Sequence, residues 1–293
     1  MNDIKWMAYA LELAKKGRYT TRPNPCVGCV LVATTNGVEH IVGQGWHYRA
    51  GEAHAEVNAI NDARKNKYNT KNAVAYVTLE PCVHKAKTGP CTQALIAAEI
   101  SRAVYGMEDP NPLVAGQGLQ ALIDAGISVD GPLLEQEAKA LNKGFVRRML
   151  VKKPWVRCKI AASLDGRTAM VSGESQWITG SEARADVQKW RALSCAIISG
   201  IGSVLQDDSR LTIRKDQLCL LNVDDVLANP PLRVLLDTHL EIPLDAAILK
   251  PSAKTLLVVS KQTHDAAQAK ITSILELGDH LSVISVNVDE DNK

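Results

Sequence analysis

Four residues in the first third of the chain have the types and spacing of a metal-assisted hydrolytic centre. They are His54 and Glu56 in Gly51-Glu52-Ala53-His54-Ala55-Glu56, Cys82 in Thr78-Leu79-Glu80-Pro81-Cys82, and Cys91 in Gly89-Pro90-Cys91. Zinc takes neutral imidazole and thiolate ligands, at about 2.0 Å to nitrogen and about 2.3 Å to sulfur; a catalytic site keeps three protein ligands and leaves a fourth position to water. One His and two Cys meet that count. Cys91 is expected to open a helix, where the positive end of the dipole favours a thiolate. His54 sits near the start of its own predicted helix. Glu56 lies two residues beyond His54 and need not bind the metal; it is the candidate to carry a proton from water to a departing amine. Bound zinc lowers the pKa of water from about 15.7 to about 7, and general acid–base transfer adds typically about 10²–10⁴-fold. Deamination of an amidine-like ring carbon needs both.

The remaining cysteines and histidines have blander readings. Cys26-Val27-Gly28-Cys29 is a C-x-x-C without a second pair nearby, placed at the start of an apolar strand, and is expected in the core. Cys158, Cys195 and Cys219 sit in apolar runs and are expected to be packing residues. His40, His239, His264 and His280 are scattered. His47 stands apart from them because it closely precedes the metal motif.

The elements that must position these residues follow from periodicity. A helical stripe covers 4–16 and Gly17 can end it. Strand-like runs at 27–33 and 41–46 flank the turn Thr35-Asn36-Gly37. A helix is predicted at 54–65, a strand at 73–79, a helix at 92–99, a strand at 103–106 and a helix at 118–125. The helical run 133–143 and the charged stretch to Pro154 form an expected boundary, and Arg147, Arg148, Lys152 and Lys153 read as a solvated connector. A second alternation follows, with strands predicted at 156–161, 196–199, 234–237, 255–259 and 281–286 and helices at 182–193 and 266–277. Strands alternating with helices imply α/β layers in both halves.

The 293 residues suggest two domains, and 46% hydrophobic content supports a core in each. Net charge is +2 and aromatics make up 4%, with a single Phe, which argues against a dedicated nucleic-acid binder. No stretch approaches the roughly 20 apolar residues of a membrane span. Seven cysteines without a secretion signal favour metal ligation or burial over disulfides and suggest a cytoplasmic enzyme.

A zinc deaminase is expected to show H-x-E followed by P-C-x-x-C, whereas here eight residues separate Cys82 from Cys91. Together with Pro23-Asn24-Pro25, Cys82-x-His84, Thr88-Gly89-Pro90-Cys91, Asp109-Pro110-Asn111-Pro112 and Leu141-Asn142-Lys143-Gly144-Phe145, the motifs resemble the bifunctional deaminase–reductase family of riboflavin biosynthesis. The resemblance implies a cytidine-deaminase-like three-layer α/β/α domain over 1–146. Its substrate would be a diaminopyrimidinone carrying a phosphoribosylamino group. Matching positions assign His54, Cys82 and Cys91 to zinc and Glu56 to proton transfer. His84 and Lys87, in the insert between the thiolates, are candidates to hold the substrate's base or phosphate, and Asn24 to hydrogen-bond its ring.

In the second half no G-x-G-x-x-G follows a strand, so a Rossmann reading is unsupported. Lys159-Ile160-Ala161-Ala162-Ser163-Leu164-Asp165-Gly166-Arg167, Gly173-Glu174-Ser175-Gln176-Trp177-Ile178-Thr179, Asp207-Asp208-x-x-Leu211-Thr212 and Val234-Leu235-Leu236-Asp237-Thr238 resemble the family's reductase domain. That implies a dihydrofolate-reductase-like α/β fold over 147–293 and NADPH-dependent reduction of the ribosyl group to ribityl. By position Ala161, Trp177, Ser203, Asp207 and Thr238 would line the cofactor. Lys159, Ser175, Arg191, Leu211 and Arg214 would contact substrate, the arginines its phosphate. On pattern alone Arg191 and Arg214 read as surface charges and Trp177 as a core aromatic. The family's Glu-Gly-Gly-like segment is not supplied after Val286, so either the sequence is incomplete or the reductase half is compromised. The expected assembly is a homo-oligomer acting on a small phosphorylated pyrimidine, with no nucleic-acid or membrane partner. A deaminase with a non-catalytic second domain, a nucleic-acid-editing zinc deaminase and a zinc-stabilised interaction module stay open.

Overall fold

The computed structural model describes residues 2–83, 89–112, 114–218, 220 and 222–288. The chain divides into two units, Met1–Cys158 and Lys159–Lys293.

The first unit is built on a five-stranded sheet of order β2-β1-β3-β4-β5, with β1 Gly28–Thr35, β2 Val38–Trp46, β3 Val74–Val77, β4 Arg102–Tyr105 and β5 Ser128–Asp130. β1 pairs antiparallel with β2 and β3, while β3, β4 and β5 run parallel. The β1–β2 turn has Asn36 at φ 52° and Gly37 at φ 80°, the pair of positive values that a tight two-residue hairpin turn requires. Among the described residues six helices accompany the sheet: α1 Asp3–Lys15, α2 Ala55–Lys65, α3 Cys91–Ala97, α4 Gln117–Asp124, α5 Glu135–Leu141 and α6 Lys143–Val151.

Alternation along β1 feeds two cores, because successive side chains leave opposite faces of a strand. Val30 and Val32 pack with Trp6, Met7, Ala10 and Leu13 of α1. Cys29 and Leu31 pack with Ala55, Ala59 and Ile60 of α2, Leu95 of α3 and Leu122 of α4. The result is three layers, helix on both faces of the sheet. α2 lies so close to β2 that a Cβ on Gly45 would stand 2.4 Å from the Ala59 nitrogen and 2.6 Å from the Ala55 carbonyl oxygen. Only glycine permits that approach.

The second unit holds a four-stranded, all-parallel sheet of order β6-β7-β8-β9: Ala196–Gly200, Leu232–Leu236, Thr255–Ser260 and Leu281–Val286. Its helices are α7 Ser181–Leu193, α8 Gly202–Asp207, α9 Val223–Leu227, α10 Lys261–Ala266 and α11 Gln268–Leu275. Leu235, Ile242, Ile248, Leu257, Val259 and Ile274 form its core. Arg233 of β7 is fully buried and ties two loops together by donating to the carbonyl of Arg210 in one and to those of Lys250 and Ala253 in the other.

Several expectations need correction. The run 156–161 forms no strand: none of the described strands pairs with it, and Val156 is 78% exposed. Propensity alone makes no ladder. The charged stretch after 143 is solvated as expected but helical as far as Val151 in α6, and the helix expected at 266–277 is α11, with α10 an additional helix just before it. Cys158 and Cys195 are exposed rather than packed, the first in that unpaired run and the second just before edge strand β6; Cys219 lies outside the described residues. Cys26 and Cys29 are buried.

Candidate active site

The metal candidates converge from three segments. His54 is the N-cap of α2, Cys91 is the first residue of α3, and Cys82 follows β3 through the 78–81 turn. His54 Nδ1 is 3.2 Å from Cys91 Sγ and 3.6 Å from Cys82 Sγ. All three ligand atoms lie within 4.8 Å of one another, and the cluster contains no fourth ligand among the described residues. Bond lengths of about 2.0 and 2.3 Å give a tetrahedral N···S edge of about 3.5 Å. The observed separations bracket that value, and the donor set is the soft, mixed one that zinc takes. The residues fit the ion.

Electrostatics agree with the geometry. Hydrogen bonds from the Cys91 thiol and then from His54 pull the Cys82 thiol down to about 4, so this pair favours a thiolate at Cys82. The Cys82 sulfur in turn raises His54. Glu56, 3% exposed on the first turn of α2, is pushed up to about 7 by burial. It also hydrogen-bonds the Cys91 thiol. A carboxyl group poised near neutrality beside three ligand atoms can take up and release a proton at working pH.

Polar groups around the cluster are tied in series. His47 Nδ1 stands 3.1 Å from the carbonyl oxygen of Ala53, and its Nε2 stands 3.2 Å from Asn24 Nδ2. The His47 ring meets the His54 ring edge-on, centroids 5.2 Å apart. Burial pushes the His47 imidazolium down in pKa. Two residues after Asn24, the backbone of Cys26 is gripped by the buried amide of Asn142: Cys26 N–H donates to Oδ1 at 2.8 Å, and Nδ2 donates to the Cys26 carbonyl at 2.9 Å. The buried Glu80 carboxylate accepts N–H groups from Asp109, Gly116 and Gly118 at 3.1, 3.0 and 2.8 Å. Sequence reasoning gave Glu80 and Asn142 no role; their only signal was membership of the quoted motifs. His84 and Lys87 lie outside the described residues.

In the second unit the expected residues are gathered in part. Arg191 donates to the Thr212 carbonyl at 2.6 Å, and the Arg214 N–H donates to Gln188 at 3.0 Å, so α7 holds the 211–214 loop with both arginines near one another. Proximity to Arg214 adds to the burial that lowers Arg191. Leu211 is buried at φ 53°. Ser203 and Asp207 lie one turn apart on α8, past the carboxyl end of β6, and Thr238 lies past the carboxyl end of neighbouring β7. Ligands of open parallel sheets bind at such ends. Gln176 donates to Asp207 at 3.4 Å, linking the 175–177 segment to α8. Trp177 is no core aromatic: it is 61% exposed, with Arg184 4.4 Å from its ring centroid. Ser175 is half-buried; Lys159, exposed, and Ala161 sit in the unpaired run.

Residues 1–107 match the family described as the cytidine and deoxycytidylate deaminase zinc-binding region, and residues 154–292 match the RibD C-terminal domain. The riboflavin biosynthesis protein RibD of Escherichia coli (strain K12) is 54% identical over 218 residues, 74% of this chain and 58% of that protein. The RibD protein of Aquifex aeolicus (strain VF5) is 39% identical over 266 residues, 91% of this chain and 70% of that protein. The solved structure of Acinetobacter baumannii RibD, form 1, has a TM-score of 0.85 and 42% identity, covering 99% of this chain and 75% of that chain. A Thermotoga maritima diaminohydroxyphosphoribosylaminopyrimidine deaminase/5-amino-6-(5-phosphoribosylamino)uracil reductase has a TM-score of 0.78 and 33% identity, covering 96% and 80%. The chain thus spans 58% of the E. coli relative and 63% of its Haemophilus influenzae counterpart.

Proposed function

The chain belongs to the RibD family of riboflavin biosynthesis proteins, with a cytidine-deaminase-like domain followed by a dihydrofolate-reductase-like one, and from that premise we propose that it catalyses two successive steps. The first is hydrolytic deamination of 2,5-diamino-6-(5-phosphoribosylamino)pyrimidin-4-one; the second is NADPH-dependent reduction of the ribosyl group to ribityl. We assign deamination to 1–146 and reduction to 147–293.

The observation that carries the first step is one His and two Cys ligand atoms within 4.8 Å, with a buried carboxyl group alongside. His54, Cys82 and Cys91 would hold zinc, which when bound supplies a Lewis acid that activates water. Glu56 then works as a proton carrier: its carboxylate takes a proton at Oε and its carboxyl group returns one to the leaving nitrogen. Water enters and ammonia departs, so the balance closes on one carboxyl group. A carboxyl group pushed up to about 7 by burial suits both halves of that cycle. Asn24, His84 and Lys87 would hold the substrate.

For the second step NADPH, when bound, supplies the hydride. Ala161, Trp177, Ser203, Asp207 and Thr238 would line its site. Arg191 and Arg214 would neutralise the substrate phosphate from α7 and the adjoining loop, with Lys159, Ser175 and Leu211 completing that wall.

We place the enzyme in the cytoplasm as a homo-oligomer that acts on this small molecule rather than on nucleic acid. A net charge of +2 supports the last point. None of the helices among the described residues is long and apolar enough to cross a membrane. Ammonia release from the diaminopyrimidinone by the zinc-loaded chain, followed by NADPH oxidation on the deaminated product, tests the two steps separately. Failure of either removes that step from the reading.

A further inference from the structure

We propose that His47 is a positioning residue that decides which end of the Asn24 amide faces the ligand, so that the pocket presents a hydrogen-bond acceptor and selects a pyrimidine edge that donates. The inference rests on the deaminase reading above and deepens it.

The Ala53 carbonyl oxygen has no proton to give, and His47 Nδ1 stands 3.1 Å from it, so Nδ1 carries the hydrogen and donates. In a neutral imidazole the other nitrogen is then bare and accepts. The group 3.2 Å from Nε2 must be a donor, which makes it the Nδ2 of Asn24. The amide oxygen of Asn24 points away from His47 and accepts no hydrogen bond from any described residue. A flipped amide would set oxygen against the bare Nε2, two lone pairs face to face.

Little else about Asn24 is free to move. Its backbone N–H donates to the Thr21 carbonyl at 2.9 Å, and two residues on, Cys26 is held through both backbone groups by Asn142. Interchange of the amide ends is the freedom that backbone anchoring leaves, and His47 removes it. His47 is itself buried, so it acts through Asn24, while half-buried Asn24 meets the ligand. The ring of His47 lies edge-on to His54, so the residue that holds the Asn24 amide borders the ligand cluster.

A donor-selecting wall suits an aminopyrimidinone, whose ring N–H offers a hydrogen where an N-alkylated ring nitrogen offers none. A site built to pair such a group rejects analogues lacking it, because its own polar atom is left unpaired.

The test uses the full zinc-loaded chain with ¹⁵N-labelled histidine at neutral pH. Long-range ¹H–¹⁵N correlation should show His47 with hydrogen on Nδ1 and a bare Nε2; the Nε2–H tautomer or a doubly protonated ring overturns the proposal. Asn24→Asp removes the donor, and His47 should then leave that state; an unchanged tautomer means the two are uncoupled and also overturns it. In kinetics, His47→Phe should raise KM for the diaminopyrimidinone by about tenfold or more with kcat within about threefold and zinc content unchanged. Discrimination against the ring-N-methyl analogue should fall by about tenfold or more; undiminished discrimination is contrary evidence. A wild-type chain that deaminates nothing would sink the functional reading, while the tautomer measurements would still decide whether His47 sets the Asn24 amide.

Discussion

Glu80 and Gly118 lock together: the Glu80 carboxylate accepts the Gly118 N–H at 2.8 Å, and a Cβ on Gly118 would lie 2.0 Å from the carbonyl oxygen of Pro81. The turn that ends in Cys82 is thereby docked on the first turn of α4. A carboxylate there satisfies helix N–H groups that lack intrahelical partners and sits at the positive end of the dipole.

Glu80→Ala should therefore cost about 3 kcal/mol or more, since three backbone donors lose their acceptor at about 1–3 kcal/mol each. Glu80→Gln should lose less. Gly118→Ala should also destabilise, by about 1–3 kcal/mol, as Pro81 is forced aside. Urea unfolding of zinc-loaded protein measures all three. Variants indistinguishable from the parent would show that the docking carries no stability.

Zinc is expected at one ion per chain and should be lost from Cys82→Ala and from Cys91→Ala. Glu56→Gln should keep the metal while deamination falls at least about a hundredfold. Elemental analysis beside ammonia release reads both. Full metal retention by both cysteine variants would remove the ligand assignment, and near-normal turnover of Glu56→Gln would remove the proton carrier.

Gly45→Ala tests the seating of α2. The added methyl meets backbone atoms of Ala55 and Ala59, so the helix must shift, and with it His54 and Glu56. The expected outcome is a loss of about 1–3 kcal/mol together with weaker zinc retention under chelator. Gly37→Ala offers the contrast, since nothing lies within 4 Å of the position and only its φ of 80° is strained. Equal zinc loss in both variants would count against the close-approach argument.

Acid stability should report Asp3. The Arg102 guanidinium, donating at 2.9 and 3.0 Å, holds its carboxyl below the ordinary 3.8, with further help from the Tyr76 hydroxyl against an opposing push from burial. A folded-state value below the unfolded one adds stability that is fully present above about 3.8 and fades as pH falls through the folded value. Asp3→Asn should thus lower stability at neutral pH, and the gap to the parent should close below pH 3.8. A gap independent of pH would mean the ion pair is not its source.

The candidate site was more legible than its scaffolding. His54, Glu56, Cys82 and Cys91 stand out as candidates because metal ligation and proton transfer restrict residue type, and the fold brings them together. Helices α2 and α3 could be placed almost to the residue from their apolar spacing. What stayed hidden depends on partners distant in sequence. The run 156–161 looks like a strand by composition, yet strandhood needs a neighbour that composition does not reveal. The backbone grip of Glu80 and the Asn142 amide clamp look like ordinary polar residues until the chain has folded. His47 lies between: nearness to the metal motif marked it, while its tautomer follows only from Ala53 and Asn24.

The Asn142–Cys26 pairing spans 116 residues. On a ribosome, residue 26 emerges long before residue 142 has been added, and loops of that length close slowly. The turn around Asn24 must wait, unlatched, until nearly the whole first unit has been synthesised. A nascent chain stalled short of residue 142 would have α2 and α3 available and the Cys26 backbone still unclamped.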